Sequence, residues 1–272
     1  MILDVVLNNN FNPKSKHIDL TNYVCGVIDV IRATTTMSVM IAKGCNEIII
    51  AKSKTQAFLF KKIFPDYLLC GEEGGHPPEG FDFGNSPLEY SKMNLNKKGI
   101  ILKTTNGTKS FFKTLKSRGS FVLSIVNISY TCDILLKEAM EKNCDIFLIC
   151  SGEKGKIAYD DAFVAGMAIK IIKEKSKDIE LTDSAVLLLN NYLMEKNSLD
   201  ALKKSSSYRS MIKAGLGEDD VHICSKADLY NVTGYLTQYN QNQVSNLINN
   251  LKSNIKLPKK ISNIFVIRPF KP

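Results

Sequence analysis

The chain has 272 residues, 44% of them hydrophobic, and a formal net charge of +9, enough to bury a full-sized core in one large domain or two small ones. Its longest apolar stretches, such as residues 145–150 and 184–189, fall far short of a bilayer span, so no membrane partner is expected. The lysines are spread along the chain with no aromatic-interleaved basic motif, which argues against nucleic acid and leaves a modest positive field that favours a small anionic substrate.

The start, MILDVVLNNNF, lacks a basic leader and its apolar run is broken by Asp4. It predicts a first strand rather than a signal peptide, and a cytoplasmic protein. Strand-like runs follow at residues 24–28, 47–51, 67–70, 100–103, 121–126 and 146–150, separated by helical patterns. That alternation predicts an α/β sheet with helices on its faces, mixed because the connection from 70 to 99 reads mostly as loop. Helices are expected over 160–173 and 184–196. Residues 1–234 form the α/β domain in this reading. Residues 235–272 are an extension packed on it or trailing from it: a polar segment at 238–260, then a strand-like run at 263–267. Seven cysteines show no CxxC pair and no zinc spacing, so they read as reduced core thiols; His17, His76 and His222 mark no base for any of them.

The chemistry concentrates where strands give way to helices. In YVCGVIDVIRATTTMSVMIAK, residues 23–43, the apolar period changes at Asp29. Such a strand end is where an open α/β sheet binds ligands, and Thr34, Thr35 and Thr36 place hydroxyls beside free helix N–H donors that suit a phosphate. Asp29 is then a metal ligand or a nucleophile, and Arg32 a planar fork for phosphate oxygens. The plainer reading is that Asp29 and Thr34 only cap a helix.

Residues 70–90 form a long Gly- and Pro-rich loop, in which Gly74 and Gly75 allow close backbone approach and Glu72, Glu73 and Asp82 offer carboxylates. Asn85 precedes a predicted capping box in which Ser86 is the N-cap, Pro87 the first helical residue and Glu89 the closing partner. Thr104, Thr105, Asn106, Gly107 and Thr108 repeat the design of the first turn, and the two turns together are expected to converge on one anion. After Ser151-Gly152-Glu153 come two adjacent aspartates. Only one is expected to face inward, and Asp161 is assigned that role while Asp160 complements the helix dipole. Asp29, Asp161 and Asp220 together would suit Mg²⁺.

Taken together, IDVIRATTT (28–36), GEEGG (71–75), GFDFGNSP (80–87), TTNGT (104–108), SGEKG (151–155) with the following DD…AG (160–166), and GEDDVHIC (217–224) resemble the 2-phosphosulfolactate phosphatase (ComB) family. The resemblance spans roughly residues 2–233. It implies a three-layer α/β/α fold with a mixed sheet and a Mg²⁺-dependent phosphomonoesterase. The implied reaction takes 2-phospho-3-sulfolactate to 3-sulfolactate and phosphate, a step in coenzyme M synthesis. Asp29-Val30-Ile31 lacks the second aspartate of the DxDx[TV] phosphatases, so attack by water and attack by Asp29 both stay open. A homodimer accords with the resemblance and the compact size. Two departures fall in the Gly-rich loop. Glu73 stands where the family has an arginine, and His76-Pro77-Pro78 where it has a lysine-containing continuation, changes expected to weaken recognition of a doubly anionic substrate. If they also abolish turnover, the chain is a phosphate-ester binding protein of the same fold.

Overall fold

Runs of Val, Ile and Leu with no polar alternation become strands buried on both faces, as in β-sheets covered by helices on either side. The computed structural model describes residues 1–13, 18–250 and 263–272. His17 and residues 251–260 of the predicted polar segment lie outside the described residues. In chain order the elements are β1 (Ile2–Val6), β2 (Tyr23–Ile28), α1 (Ala33–Ala42), β3 (Glu47–Ile50), α2 (Lys54–Ile63), β4 (Leu68–Gly71), α3 (Pro87–Ser91), β5 (Gly99–Lys103) and α4 (Gly107–Lys113). Then follow β6 (Gly119–Leu123), α5 (Ile128–Glu141), β7 (Asp145–Cys150), α6 (Tyr159–Lys175), β8 (Glu180–Leu181), α7 (Asp183–Leu193), α8 (Ser198–Lys203), α9 (Ser206–Lys213), α10 (Asp219–Cys224), β9 (Gly234–Gln238), α11 (Gln241–Asn250) and β10 (Phe265–Pro269).

All ten strands form one sheet in the order β4-β5-β3-β10-β9-β6-β2-β7-β1-β8. Its two blocks, β4-β5-β3 and β6-β2-β7-β1-β8, are internally parallel. Every antiparallel junction is made by β9 or β10. The sheet is therefore mixed, but not at the loop-rich connection from 70 to 99, which delivers β5 parallel to β4. Nor do the last two strands lie outside the domain. They sit in the middle of the sheet and join its halves.

Side-chain alternation sorts the helices into two outer layers. On one face Val27, Val122, Ile267, Ile48, Ile100 and Cys70 pack with Met37, Met40 and Ile41 of α1, Phe111 of α4 and Tyr90 of α3. On the other, Val24, Ile28 and Leu123 pack with α5 and α6, and Ile49, Ile101 and Val266 with α2. The predicted run 121–126 stops at Leu123, because Ser124 and Asn127 bond reciprocally and turn residues 125–127 into a 3₁₀ turn. All seven cysteines are buried and unpaired. Among the described residues no helix is long and apolar enough to cross a membrane.

At the amino end of β3 the buried carboxylate of Glu47 accepts from Tyr67 Oη at 2.7 Å, from Tyr239 Oη, and from Arg268 Nε at 3.0 Å. One acid thus ties β3 to residues flanking or within β4, β9 and β10. Glu47→Ala leaves an arginine and two tyrosines short of their acceptor, and a loss of about 3 kcal/mol is expected from urea unfolding. A loss below 0.5 kcal/mol would show that hydrophobic contacts alone hold β10 in place.

Candidate active site

A cleft of 270 Å³ opens at the carboxyl ends of strands from both blocks. Its wall includes Asp29, Ile31 and Arg32 after β2, Glu72, Gly74 and Gly75 after β4, Thr104, Thr105 and Asn106 after β5, and Gly152, Glu153 and Lys154 after β7. Asp161 of α6 and Asn85 complete it, and Ser207, Ser210, Met211 and Leu216, from α9 and the turn that follows, line another part.

The starts of α1 and α4, where the two threonine-rich turns end, both lie against the carboxylate of Asp29. Its Oδ1 accepts from Ala33 N, the first residue of α1, at 3.3 Å. A side chain on Gly107 would stand 2.6 Å from Ala33 Cβ and 2.9 Å from Asp29 Oδ2. The threonine hydroxyls serve the backbone. Thr34 Oγ1 accepts from Asp29 N, Thr35 Oγ1 donates to Val30 O, Thr36 Oγ1 to Asn85 O, and Thr108 Oγ1 to Thr104 O. Thr34, Thr35, Thr36 and Thr108 are buried off the cleft wall and do not form the predicted phosphate cradle. A strand breaking into a helix leaves backbone groups without partners, and these hydroxyls satisfy them. Thr104, Thr105 and Asn106 remain on the wall, and the side chains of Thr105 and Asn106 have no hydrogen bond to protein among the described residues.

Arg32 follows a cis peptide bond and is 7% exposed. Its Nη1 donates to Asp220 Oδ2 at 2.7 Å and its Nη2 to Gly75 O at 2.8 Å. The other oxygen of Asp220 accepts from Ser86 Oγ at 2.6 Å and Leu88 N at 3.2 Å. Ser86 also accepts from Glu89 N, which forms its half of the predicted capping box. Asp220 is thus committed behind Arg32 and absent from the cleft wall, which corrects its assignment as a metal ligand. Among the described residues no three His, Cys, Asp or Glu side chains gather as a metal centre. Asp29 and Asp161 both face the cleft. Two carboxylates with oxygen-only donors are what Mg²⁺ commonly takes beside waters and phosphate oxygens, so the residues present fit that ion.

Both aspartates at the start of α6 are buried, 1% exposed for Asp160 and 3% for Asp161, so the expectation that only one faces inward does not hold. The sheet covers one side of α6, and α7, α8 and α9 cover the rest, so its first turn has no solvent side. Asp161 accepts from Val30 N at 3.0 Å and Gly152 N at 2.9 Å. Asp160 Oδ1 accepts from Ser207 Oγ at 2.9 Å, and its Oδ2 has no partner. Burial, with repulsion from Asp160 and Glu72, raises Asp29 to about 7. Burial likewise raises Asp160 to about 7, and burial plus repulsion from Asp160 and Asp29 lifts Asp161 well above the carboxylate range.

Two of the carboxylates singled out in the sequence, Glu72 and Asp161, also brace loops on the wall. Glu72 Oε1 accepts from Thr105 N at 2.6 Å and Oε2 from Gly75 N at 3.1 Å, so it braces the loop after β4 against the turn after β5. Asp161 does the same between Gly152 after β7 and Val30 after β2. The two braced loops are alike: Glu73 pairs with His76, and Glu153 with Lys156, each around a two-residue turn. The sequence signal for this was E-G-G-H and E-K-G-K, a two-residue turn with glycine second. Glu73 and His76 are exposed and off the cleft wall, and His76 Nε2 bonds Ala214 O at 2.7 Å. Asp82 is also elsewhere, bonded to Leu69 N and Lys61 at the edge of the sheet.

A family model described as 2-phosphosulpholactate phosphatase matches residues 11–239. A probable 2-phosphosulfolactate phosphatase of Carboxydothermus hydrogenoformans is 39% identical over 207 residues, covering 76% of this chain and 83% of that protein. Proteins of the same description from Thermotoga petrophila and Clostridium beijerinckii are 34% and 28% identical, covering 75% and 85% of this chain and 85% and 95% of theirs.

Gly107→Ala drives a methyl into Ala33 and Asp29, and is expected to lower activity about 100-fold. Activity within threefold of wild type would mean that Asp29 need not hold this position. The buried carboxylates also set a pH dependence. With folded values near 7 against about 3.9 unfolded, the native chain holds more protons than the unfolded one between those limits, so stability falls as pH rises through that window. In EDTA, Tm is expected to drop from pH 5 to pH 8, and Asp160→Asn to flatten the slope. An equal slope in the variant would remove Asp160 from the effect.

Proposed function

Because the chain belongs to the 2-phosphosulfolactate phosphatase family, we propose that it hydrolyses 2-phospho-3-sulfolactate, or a closely related small phosphorylated acid, to the hydroxy acid and phosphate with the help of Mg²⁺. The observation that carries this reading is the placement of Asp29 and Arg32 on one cleft wall, the first buried between two helix starts and the second held by Asp220.

Arg32 binds. Two of the guanidinium's N–H groups are fixed by Asp220 and Gly75, which orients the plane and leaves others for phosphoryl oxygens. Because it is held before substrate arrives, little reorganisation accompanies charge development. Thr105 and Asn106 add side-chain donors on the wall. Asp29 and Asp161 would hold Mg²⁺, which when bound supplies Lewis-acid polarisation of a phosphoryl oxygen. Asp161 is kept rigid for this by Val30 N and Gly152 N. In the metal-free site burial raises Asp29 to about 7, so its carboxylate becomes available to coordinate as pH rises past neutral. A pocket that binds without turnover would need an altered wall, and Glu73 and His76 lie outside it.

Phosphate release from phosphosulfolactate, phospholactate and phosphoglycolate, with Mg²⁺ or EDTA, tests the reading. Release from phosphosulfolactate is expected with Mg²⁺ alone, and a drop of at least about 100-fold in Asp29→Asn. Release only from the carboxylate esters would keep the phosphatase and replace its substrate. No release from any ester by folded protein would reject the enzyme reading.

A further inference from the structure

The two matched hairpins differ at one corner that faces the cleft. Their central residues all have positive φ, 62° and 94° at Gly74 and Gly75, 51° and 76° at Lys154 and Gly155, as a type I′ turn requires. Glycine adopts this backbone freely, and the first hairpin uses it at both positions. The second places a lysine at the first, where an L side chain brings strain. Residues held in such a conformation concentrate at functional sites.

Neither packing nor pairing explains the lysine. Its side chain is 80% exposed, and its ammonium has one ionic neighbour among the described residues, Glu153 at 3.8 Å. What it adds is an exposed positive charge on the wall of the cleft, on a long unbranched side chain. Arg32, the other cation there, is buried and fixed deep in the site. A substrate carrying a second anionic group needs a second cation, farther out and able to adjust. We propose that Lys154 is a specificity residue that recognises the non-reacting anionic group of the substrate, a sulfonate or carboxylate, while Arg32 meets the phosphoryl group. The inference rests on the phosphatase reading above.

Phosphate release is measured for wild type, Lys154→Gly and Lys154→Arg with two esters: 2-phospho-3-sulfolactate, and ethyl phosphate, which has no second anion. The readout is the ratio of kcat/KM between the two. In Lys154→Gly it is expected to fall about tenfold, through KM for phosphosulfolactate, and in Lys154→Arg to stay within about threefold of wild type. Added salt should narrow the wild-type ratio. Since glycine relieves the turn, Lys154→Gly should melt no lower than wild type, so a loss of ratio cannot be a loss of fold. An unchanged ratio, or an equal loss on both esters, overturns the assignment. If wild type hydrolyses neither ester, the phosphatase reading fails, and titration of 3-sulfolactate into wild type and Lys154→Gly decides the role of Lys154. About tenfold weaker binding in the variant supports it, and equal binding overturns it.

Discussion

Asp220 accepts three hydrogen bonds from two separate segments: from Arg32 at the start of α1, and from Ser86 Oγ at the cap of α3 and Leu88 N within it. The ion pair with Arg32 joins residues 188 apart in sequence, with side chains 6% and 8% exposed. Removing one member of such a buried pair leaves an uncompensated charge, at a cost of about 3–5 kcal/mol. One side of the cleft is linked to this contact. Arg32 holds the carbonyl of Gly75, hence the hairpin after β4; that hairpin is braced by Glu72 to the turn after β5, and Gly107 of that turn lies against Asp29. The acid is supporting structure for the arginine.

Topology explains how loops from two strand blocks can share a cleft at all. Three antiparallel junctions separate β3 from β6, so the blocks run in opposite senses along the sheet. In a flat sheet their carboxyl ends would lie on opposite edges. The twist between neighbours, roughly 25° per step, accumulates over the five steps from β5 to β2 and turns the two blocks toward each other. Residues after β4 and β5 thereby share one cleft with residues after β2 and β7.

Much of this was legible before any coordinates. Strand positions followed from apolar runs whose length and content leave little alternative, and Asp29, Arg32, Thr105 and Asp161, singled out because strand ends in such sheets hold ligands, line one cleft. Sequence fell short where the answer depends on direction. Thr34, Thr35 and Thr36 occupy three successive helical positions, and spacing does not say whether a hydroxyl turns to a carbonyl or to a ligand. Asp160 looked like a dipole partner, because the sequence of α6 does not disclose that other helices cover its outer side. Asp220 was recognised as an acid worth noting, but its partner lay 188 residues away. Local pattern has no view of such pairings.

The central place of β10 has a consequence for how the chain is made. Glu47 and Arg268, which meet at the junction of β3 and β10, are 221 residues apart, so the contact that closes the sheet is among its least local. During synthesis β3 has its neighbour β5 early, but its other edge stays bare until residues 265–269 emerge, and β9 waits with it. Bare edges flanked by apolar strands are templates for pairing with other chains. Closing the sheet therefore depends on contacts distant in sequence, which slow folding, and chaperone protection would matter more here than for a sheet whose strands join in the order they are made.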